Sequence, residues 1–175
     1  MQIRQATTAD IPSIQALAEV TFRHTYKKIL SPEQMEYMMD WMYSAKSLNE
    51  QMCEKGHRFL ILTDDNEEEV GYASFNKEGD QGSRQLFHLQ KIYILPKMHG
   101  KGYGALLFHA IEKEMLRLAY PSSVIFELNV NRNNSAVSFY EHLGMHKDRE
   151  GDFHIGNGFY MNDYIMVKVL AVLCH

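Results

Sequence analysis

Gly100, Gly102 and Gly104 stand at every second position in the stretch KMHGKGYGALLF, directly after a strand-like run, LQKIYILP, and directly before an apolar helical pattern. Glycine lacks a β-carbon, so a ligand can approach the main chain closely, and the start of a helix offers unpaired N–H groups at the positive end of its dipole. A phosphate or pyrophosphate is the guest that suits such a cradle. A Walker A loop would need a lysine and then Ser or Thr after its last glycine; here Lys101 lies between glycines and no Ser or Thr follows. A dinucleotide fingerprint fits better by residue type, since Gly100, Gly102 and Ala105 satisfy G-x-G-x-x-A and Glu127 lies near the place of a ribose-binding acid. Against it, the unit comes late in the chain, after hairpins, and too little chain follows for a second nucleotide-binding half.

A second constellation follows in NNSAVSFYEHLGM, where Asn133 precedes a short helical pattern that carries Tyr140. Asn is a good helix N-cap, and a tyrosine hydroxyl can donate a proton to a leaving group. Upstream, the strand-like run carries His88 and Gln90, of which only the imidazole can take up a proton near neutral pH.

The elements that must position these groups read in order along the chain. A strand around Ile3 to Gln5 leads to Thr8 or Asp10 as N-cap, and Ile11, Ile14, Leu17, Ala18 and Phe22 recur at helical spacing. Ser31 to Gln34 (SPEQ) offers an N-cap, a proline at the first helical position and a capping-box glutamine. It opens a Met- and Tyr-rich helical region whose Met35, Met38, Met39 and Met42 read as packing residues, because thioethers fill irregular apolar gaps. RFLILT and VGYASF are strands flanking the acidic turn DDNEEE, and a second loop, NKEGDQGS, leads into a long strand from Gln85 to Leu95. Leu106, Leu107, Ala110, Ile111, Met115 and Leu118 form one apolar helix face after the glycines, closed by Pro121. SVIFELNV is the next strand; Ala136, Phe139, Tyr140 and Leu143 then recur on a short helix that Gly144 ends. GNG and DYIMVKVL read as a closing hairpin. Hairpins first, then strands alternating with helices, predict a mixed α/β sheet.

The whole-chain properties narrow the function classes. The 175 residues suit a single domain, residues 1–175, with its own core. A hydrophobic fraction of 45% with 23% charged residues is ordinary for a soluble protein, and no apolar run is long enough for a spanning helix, so no membrane partner is expected. The net charge of -4 argues against a nucleic-acid partner and suits a cationic small substrate. The start lacks a secretory pattern and two cysteines give no disulfide framework, which predicts a cytoplasmic setting. Nine histidines include no recognised ligand spacing, because Gly144 interrupts the His142/His146 pair, so no metal is expected.

The glycine loop and the later Asn–Tyr helix, in this order and each at a strand–helix junction, resemble the GNAT superfamily of acetyl-CoA-dependent N-acetyltransferases. The resemblance covers nearly the whole chain. It departs at His99, where the family usually has Arg or Gln, and at Met145, which takes a usual Phe position. The resemblance implies the GNAT fold: a mixed, mostly antiparallel twisted sheet of six to seven strands flanked by helices on both faces. It implies acetyl-CoA as cosubstrate, with His99, Gly100, Lys101, Gly102, Tyr103 and Gly104 around its pyrophosphate. Ile92, Tyr93 and Ile94 would contact its pantetheine, with Asn133 and Tyr140 completing the cofactor site. The catalytic residues implied are Tyr140, as general acid to the departing thiolate, and His88, as base in the strand where the family often has a carboxylate.

A closer similarity joins TFRHTYKKILSPEQMEYMM, LQKIYI, NNSAVSFYEHLGM and HIGNGFYMNDYIMVKVL to bacterial spermidine/spermine N-acetyltransferases of the PaiA type. It implies a polyamine or another primary amine as acceptor and leaves a homodimer open. A protein N-terminus or an amino acid as acceptor, or a non-catalytic acyl-CoA-binding protein on the same scaffold, are the alternatives.

Overall fold

The computed structural model describes residues 1–171, so Cys174 falls outside them, while Cys53 is an exposed free thiol. In chain order the elements are β1 (Gln2–Gln5), α1 (Ile11–Tyr26), α2 (Pro32–Tyr43), α3 (Ala45–Cys53), β2 (Arg58–Thr63), β3 (Glu69–Gln81), β4 (Arg84–Ile94), α4 (Tyr103–Ala119), β5 (Ser123–Asn131), α5 (Ala136–His142), β6 (His146–Gly156) and β7 (Phe159–Leu170). The sheet runs β1-β2-β3-β4-β5-β7-β6. The β4–β5 pair is parallel; β1–β2, β2–β3, β5–β7 and β6–β7 are antiparallel. This is the mixed α/β architecture that the alternation of elements predicts. The chain forms two compact units: Met1–Asn76 with Gln90–Ile111, and Lys77–Leu89 with the chain from Glu112 onward.

In the first unit, Ile11, Ile14, Leu17, Ala18 and Phe22 are buried, as the helical period of α1 requires. The start of α1 differs in detail from the sequence reading. A 3-10 turn spans Thr8–Asp10, and Thr7 occupies its capping position. Asp10 accepts from the Thr7 N–H at 2.8 Å and binds Arg4 at 2.8 and 3.0 Å, which holds its carboxyl at about 2. The Met-rich region is two helices, because Ser44 is extended; its side chain accepts from Ser47 N and so opens α3. Met35 and Met38 are buried in the core, while Met39 and Met42 are half-buried.

Phe22 packs on Tyr26, Tyr43 and Tyr93, with ring centroids 4.5, 5.7 and 6.1 Å apart. Buried tyrosines need partners for their hydroxyls, and Tyr43 and Tyr72 provide them for each other at 2.7 Å. Lys91, on β4, enters the same core. Its Nζ donates to Gln51 Oε1 at 2.6 Å and lies 5.7 and 5.6 Å from the ring centroids of Tyr43 and Phe59. Gln51 in turn donates to Met42 O and Ser47 Oγ, so the lysine reaches both α2 and α3 through one amide.

In the second unit, β5 buries Val124, Phe126, Leu128 and Val130 at alternate positions, while Glu127, Asn129 and Asn131 alternate with them. Lys168 of β7 donates to Glu112 Oε1 of α4 at 2.6 Å and to Leu143 O at 2.7 Å. The β6–β7 turn at Asn157 and Gly158 has φ of 52° and 74°, the left-handed pair that an Asn-Gly hairpin favours. One segment corrects the sequence reading: NKEGDQGS is no loop, since β3 continues to Gln81 and the chain turns only at Gly82, with φ of 63°.

Burial pulls Lys91 from its ordinary 10.5 down to about 7, and Lys55 adds to the shift. The folded protein therefore binds fewer protons than the unfolded chain between these values, and stability from this group rises with pH across that window. Lys91→Met removes that slope. The stability of wild type relative to the variant is expected to increase by on the order of a few kcal/mol from neutral to alkaline pH. The lost Gln51 bond should add a pH-independent cost of about 1–3 kcal/mol. Chemical denaturation of both proteins at several pH values measures this; parallel stability curves would contradict it.

Candidate active site

The sequence-predicted residues fall into two sets, one in each unit. In the first unit, β4 continues past its last β5 pair, Leu89↔Leu128, to Ile94. Gln90–Ile94, the last residues of β4, lie beyond that register. On the other edge, Gly71 of β3 makes a close approach: a Cβ there would lie 2.4 Å from Ile94 Cδ1 and 2.8 Å from Tyr93 O. Only glycine lets β3 hold Tyr93 and Ile94 so closely, which explains the glycine in VGYASF.

After β4 the chain makes a 3-10 turn at Pro96–Met98 and reaches the glycines. Gly100 and Gly102 have φ of 76° and 82°, and a Cβ built on either meets nothing within 4 Å. Both need the left-handed region and both face open space, as a close-approach cradle requires. Helix α4 begins at Tyr103, and its first N–H groups emerge from this loop. Gly104 is different, lying inside the first turn of α4 with no left-handed backbone. His99 has a defined role: its Nε2 donates to Ile94 O at 2.8 Å, tying the loop to the end of β4. Lys101 Nζ lies 3.7 Å from Met98 Sδ, and Lys97 pairs with Glu68 at 3.0 Å. An open cleft of about 440 Å³ on this side is lined by Asp64, Asp65 and Glu68 as well as Lys97 and Lys101. Those carboxylates disfavour a phosphate in the cleft and leave the glycine backbone as the anion seat.

In the second unit, Asn131 Oδ1 accepts from Asn133 N and Asn134 Oδ1 accepts from Ala136 N, both at 2.9 Å. The start of α5 is therefore held by Asn134, not by Asn133, whose side chain is exposed and available to a ligand. Tyr140 is buried on α5, and its carbonyl accepts from Leu143 N and Met145 N at the Gly144 turn. Asp163, paired with Asn131 across β5–β7, is buried, and desolvation pushes its carboxyl up despite the Asn129 hydrogen bond.

His88 lies opposite Glu127 in the β4–β5 ladder. Its Nδ1 is buried, 3.5 Å from Glu127 Oε1 and 4.0 Å from Glu78 Oε2. Arg149 of β6 donates to the other Glu127 oxygen at 2.9 Å. The His88 contact, and then Arg149, hold the Glu127 carboxyl below its ordinary range against the effect of burial. The donor atoms of Glu78, His88 and Glu127 lie within 4.8 Å of one another, a grouping invisible to local spacing. Arg149 already places a cation on Glu127, so the arrangement reads as a charged surround for an imidazole whose Nδ1 makes no hydrogen bond among the described residues. It also counts against Glu127 as a ribose-binding acid, since Arg149 engages Oε2 and the side chain is largely buried.

Gly100, Gly102 and the start of α4, next to the end of β4, suit a pyrophosphate with an extended amide-bearing arm, the shape of coenzyme A. Comparison with known proteins agrees. Residues 24–167 match the family model described as an acetyltransferase (GNAT) domain. The chain is 28% identical over 163 residues to an uncharacterized N-acetyltransferase of Mycobacterium tuberculosis (strain ATCC 25618 / H37Rv), covering 93% of this chain and 99% of that protein. Among solved structures, the PaiA N-acetyltransferase of Thermoplasma acidophilum in complex with coenzyme A superimposes with a TM-score of 0.73 at 22% identity, over 95% of this chain and 97% of that one. The spermidine/spermine N-acetyltransferase SpeG of Vibrio cholerae gives a TM-score of 0.63 at 18% identity, over 96% and 93%. The chain belongs to the GNAT acetyltransferase family and is an acetyl-CoA-dependent N-acetyltransferase.

Proposed function

We propose that this enzyme acetylates a primary amine, with a polyamine such as spermidine or spermine as acceptor, by direct attack while both substrates are bound. The observation that carries the cofactor half is the pair of left-handed glycines facing open space before α4. The polyamine half is supported by the sequence similarity to the PaiA type, by the net charge of -4 and by the fold shared with SpeG.

Acetyl-CoA, when bound, supplies a thioester carbonyl for attack and a thiolate that leaves. The backbone of Gly100, Lys101, Gly102, Tyr103 and Gly104 holds the pyrophosphate. His99 acts one step removed, through Ile94 O. Ile92, Tyr93 and Ile94 offer main-chain groups to the pantetheine amides, and Asn133 adds a side-chain contact. An alkylammonium near 10.4 is only about one part in a few thousand neutral at pH 7, so a proton must be taken from it. Gln90 cannot do this, and its Nε2 donates to Asn76 Oδ1 at 2.8 Å. His88 is the base. Tyr140 returns a proton to the thiolate, whose ordinary value is about 8.5.

Free coenzyme A released over a panel of spermidine, spermine, amino acids and peptide N-termini tests the acceptor. The polyamines should stand above the others; background release with all polyamines would overturn the assignment. Gly102→Val places a branched side chain where φ is positive and where the anion sits, so acetyl-CoA binding by calorimetry should weaken about tenfold or more. Tyr140→Phe should lower kcat about a hundredfold while the acetyl-CoA Kd stays within a factor of about two. Unchanged turnover would remove Tyr140 from the acid role.

A further inference from the structure

We propose that Glu127 is a positioning residue for His88: its carboxylate faces the buried Nδ1, which has no hydrogen-bond partner among the described residues, so that Nδ1 carries the ring proton and Nε2 is the nitrogen that accepts the amine proton. This rests on the reading that His88 is the base. Nothing in local sequence spacing marks Glu127 for this role; the β4–β5 register does, by setting it directly across from His88.

The tautomer follows from the neighbours. An ionised carboxylate can only accept, and Nδ1 faces two of them, Glu127 Oε1 at 3.5 Å and Glu78 Oε2 at 4.0 Å. Nδ1 must therefore carry the proton in the neutral ring, which leaves the lone pair on Nε2. Both partners of the main contact are withdrawn from solvent, the side chains being 12% exposed for His88 and 11% for Glu127, so their geometry is fixed by the sheet. Glu78 is more open, at 37%, and farther away.

The charges divide the work. When the N–H bond of the ammonium breaks, the proton moves to Nε2 and the ring becomes an imidazolium; the pair of electrons stays on the amine nitrogen for attack. Glu127 remains a carboxylate throughout and stabilises that imidazolium. It does not take the proton itself, because Arg149 Nη2 donates to its other oxygen at 2.9 Å and keeps it ionised. Arg149 is half exposed and shared with Asp148 at 2.8 Å, so it weakens the negative field on His88 without cancelling it. The charged groups around this imidazole among the described residues are thus Glu78 from β3, Glu127 from β5 and, behind Glu127, Arg149 and Asp148 from β6. Removing either side of this balance moves the base in opposite directions.

The test uses the full-length protein and two readouts. The ring C–H signals of His88, assigned with His88→Asn, are followed by NMR through a pH titration without acceptor, and kcat/KM for acetyl-CoA with spermidine is measured across the same range. Glu127→Gln should lower the His88 midpoint by about one pH unit and Arg149→Gln should raise it by a few tenths, with the acidic limb of kcat/KM moving the same way. Glu127→Gln should also cost about tenfold in kcat while acetyl-CoA affinity is retained. A purely structural role for Glu127 would not shift the two variants in opposite senses. If neither variant moves the His88 midpoint, the inference is overturned while His88 can still be the base. If the midpoints move as expected but His88→Asn keeps the wild-type acidic limb, the base assignment itself is overturned. Should Glu127→Gln fail to fold by circular dichroism, Arg149→Gln decides alone: an unmoved midpoint rejects the coupling.

Discussion

The proposed cofactor seat depends on how the end of one strand is held. The β4–β5 register ends at Leu89, and β4 itself runs on to Ile94. A strand end frays unless its neighbours hold it. Gly71 supplies that hold by bringing β3 to within van der Waals distance of Tyr93 and Ile94. His99 secures the far end, binding Ile94 O as the chain leaves the strand. The glycine loop is thus fixed relative to the strand before any ligand arrives, which spares binding the entropy of ordering it.

The core behind this strand holds buried polar groups as well as apolar ones. Tyr43 and Tyr72 satisfy each other, and burial pushes both hydroxyls up, which keeps them neutral donors and acceptors at any physiological pH. Lys91 has an amide and two ring faces but, among the described residues, no carboxylate partner, so its charge is costly, and neutralisation near pH 7 is the relief that burial imposes. The compensation is connectivity. Through Gln51 the lysine on β4 reaches the end of α2 and the first turn of α3, which Ser47 Oγ also joins by donating to Trp41 O.

Much of this was legible in the residues. The period of Ile11, Ile14, Leu17, Ala18 and Phe22 located α1, and the glycine stretch and the Ala136–Leu143 pattern located α4 and α5, because these signals are local and follow backbone periodicity. Three features were not. Ser44 splits a single apolar pattern into two helices, which needs only one extended residue and leaves hydrophobicity unchanged. The β3–β4 hairpin hid in NKEGDQGS, since polar residues on a solvated strand imitate a loop. The partner of His88 was out of reach for another reason. Register between parallel strands is set by packing of whole elements, so no spacing rule connects residue 88 to residue 127.

That register also bears on why a histidine rather than a carboxylate stands on this strand. A carboxylate beside Glu127 would put two like charges across one ladder step, and burial would force one to stay protonated and useless as a base at neutral pH. An imidazole turns the same neighbour to advantage: Glu127 becomes a stabiliser of the charge that proton transfer creates. Gln90, two residues on, is then free of any demand to titrate and serves as a hydrogen-bond partner of Asn76. The substitution of an amide where the family often has an acid is thus coherent with the proposed chemistry, provided that the proton acceptor and its counter-charge are supplied by facing residues of two strands instead of by one side chain.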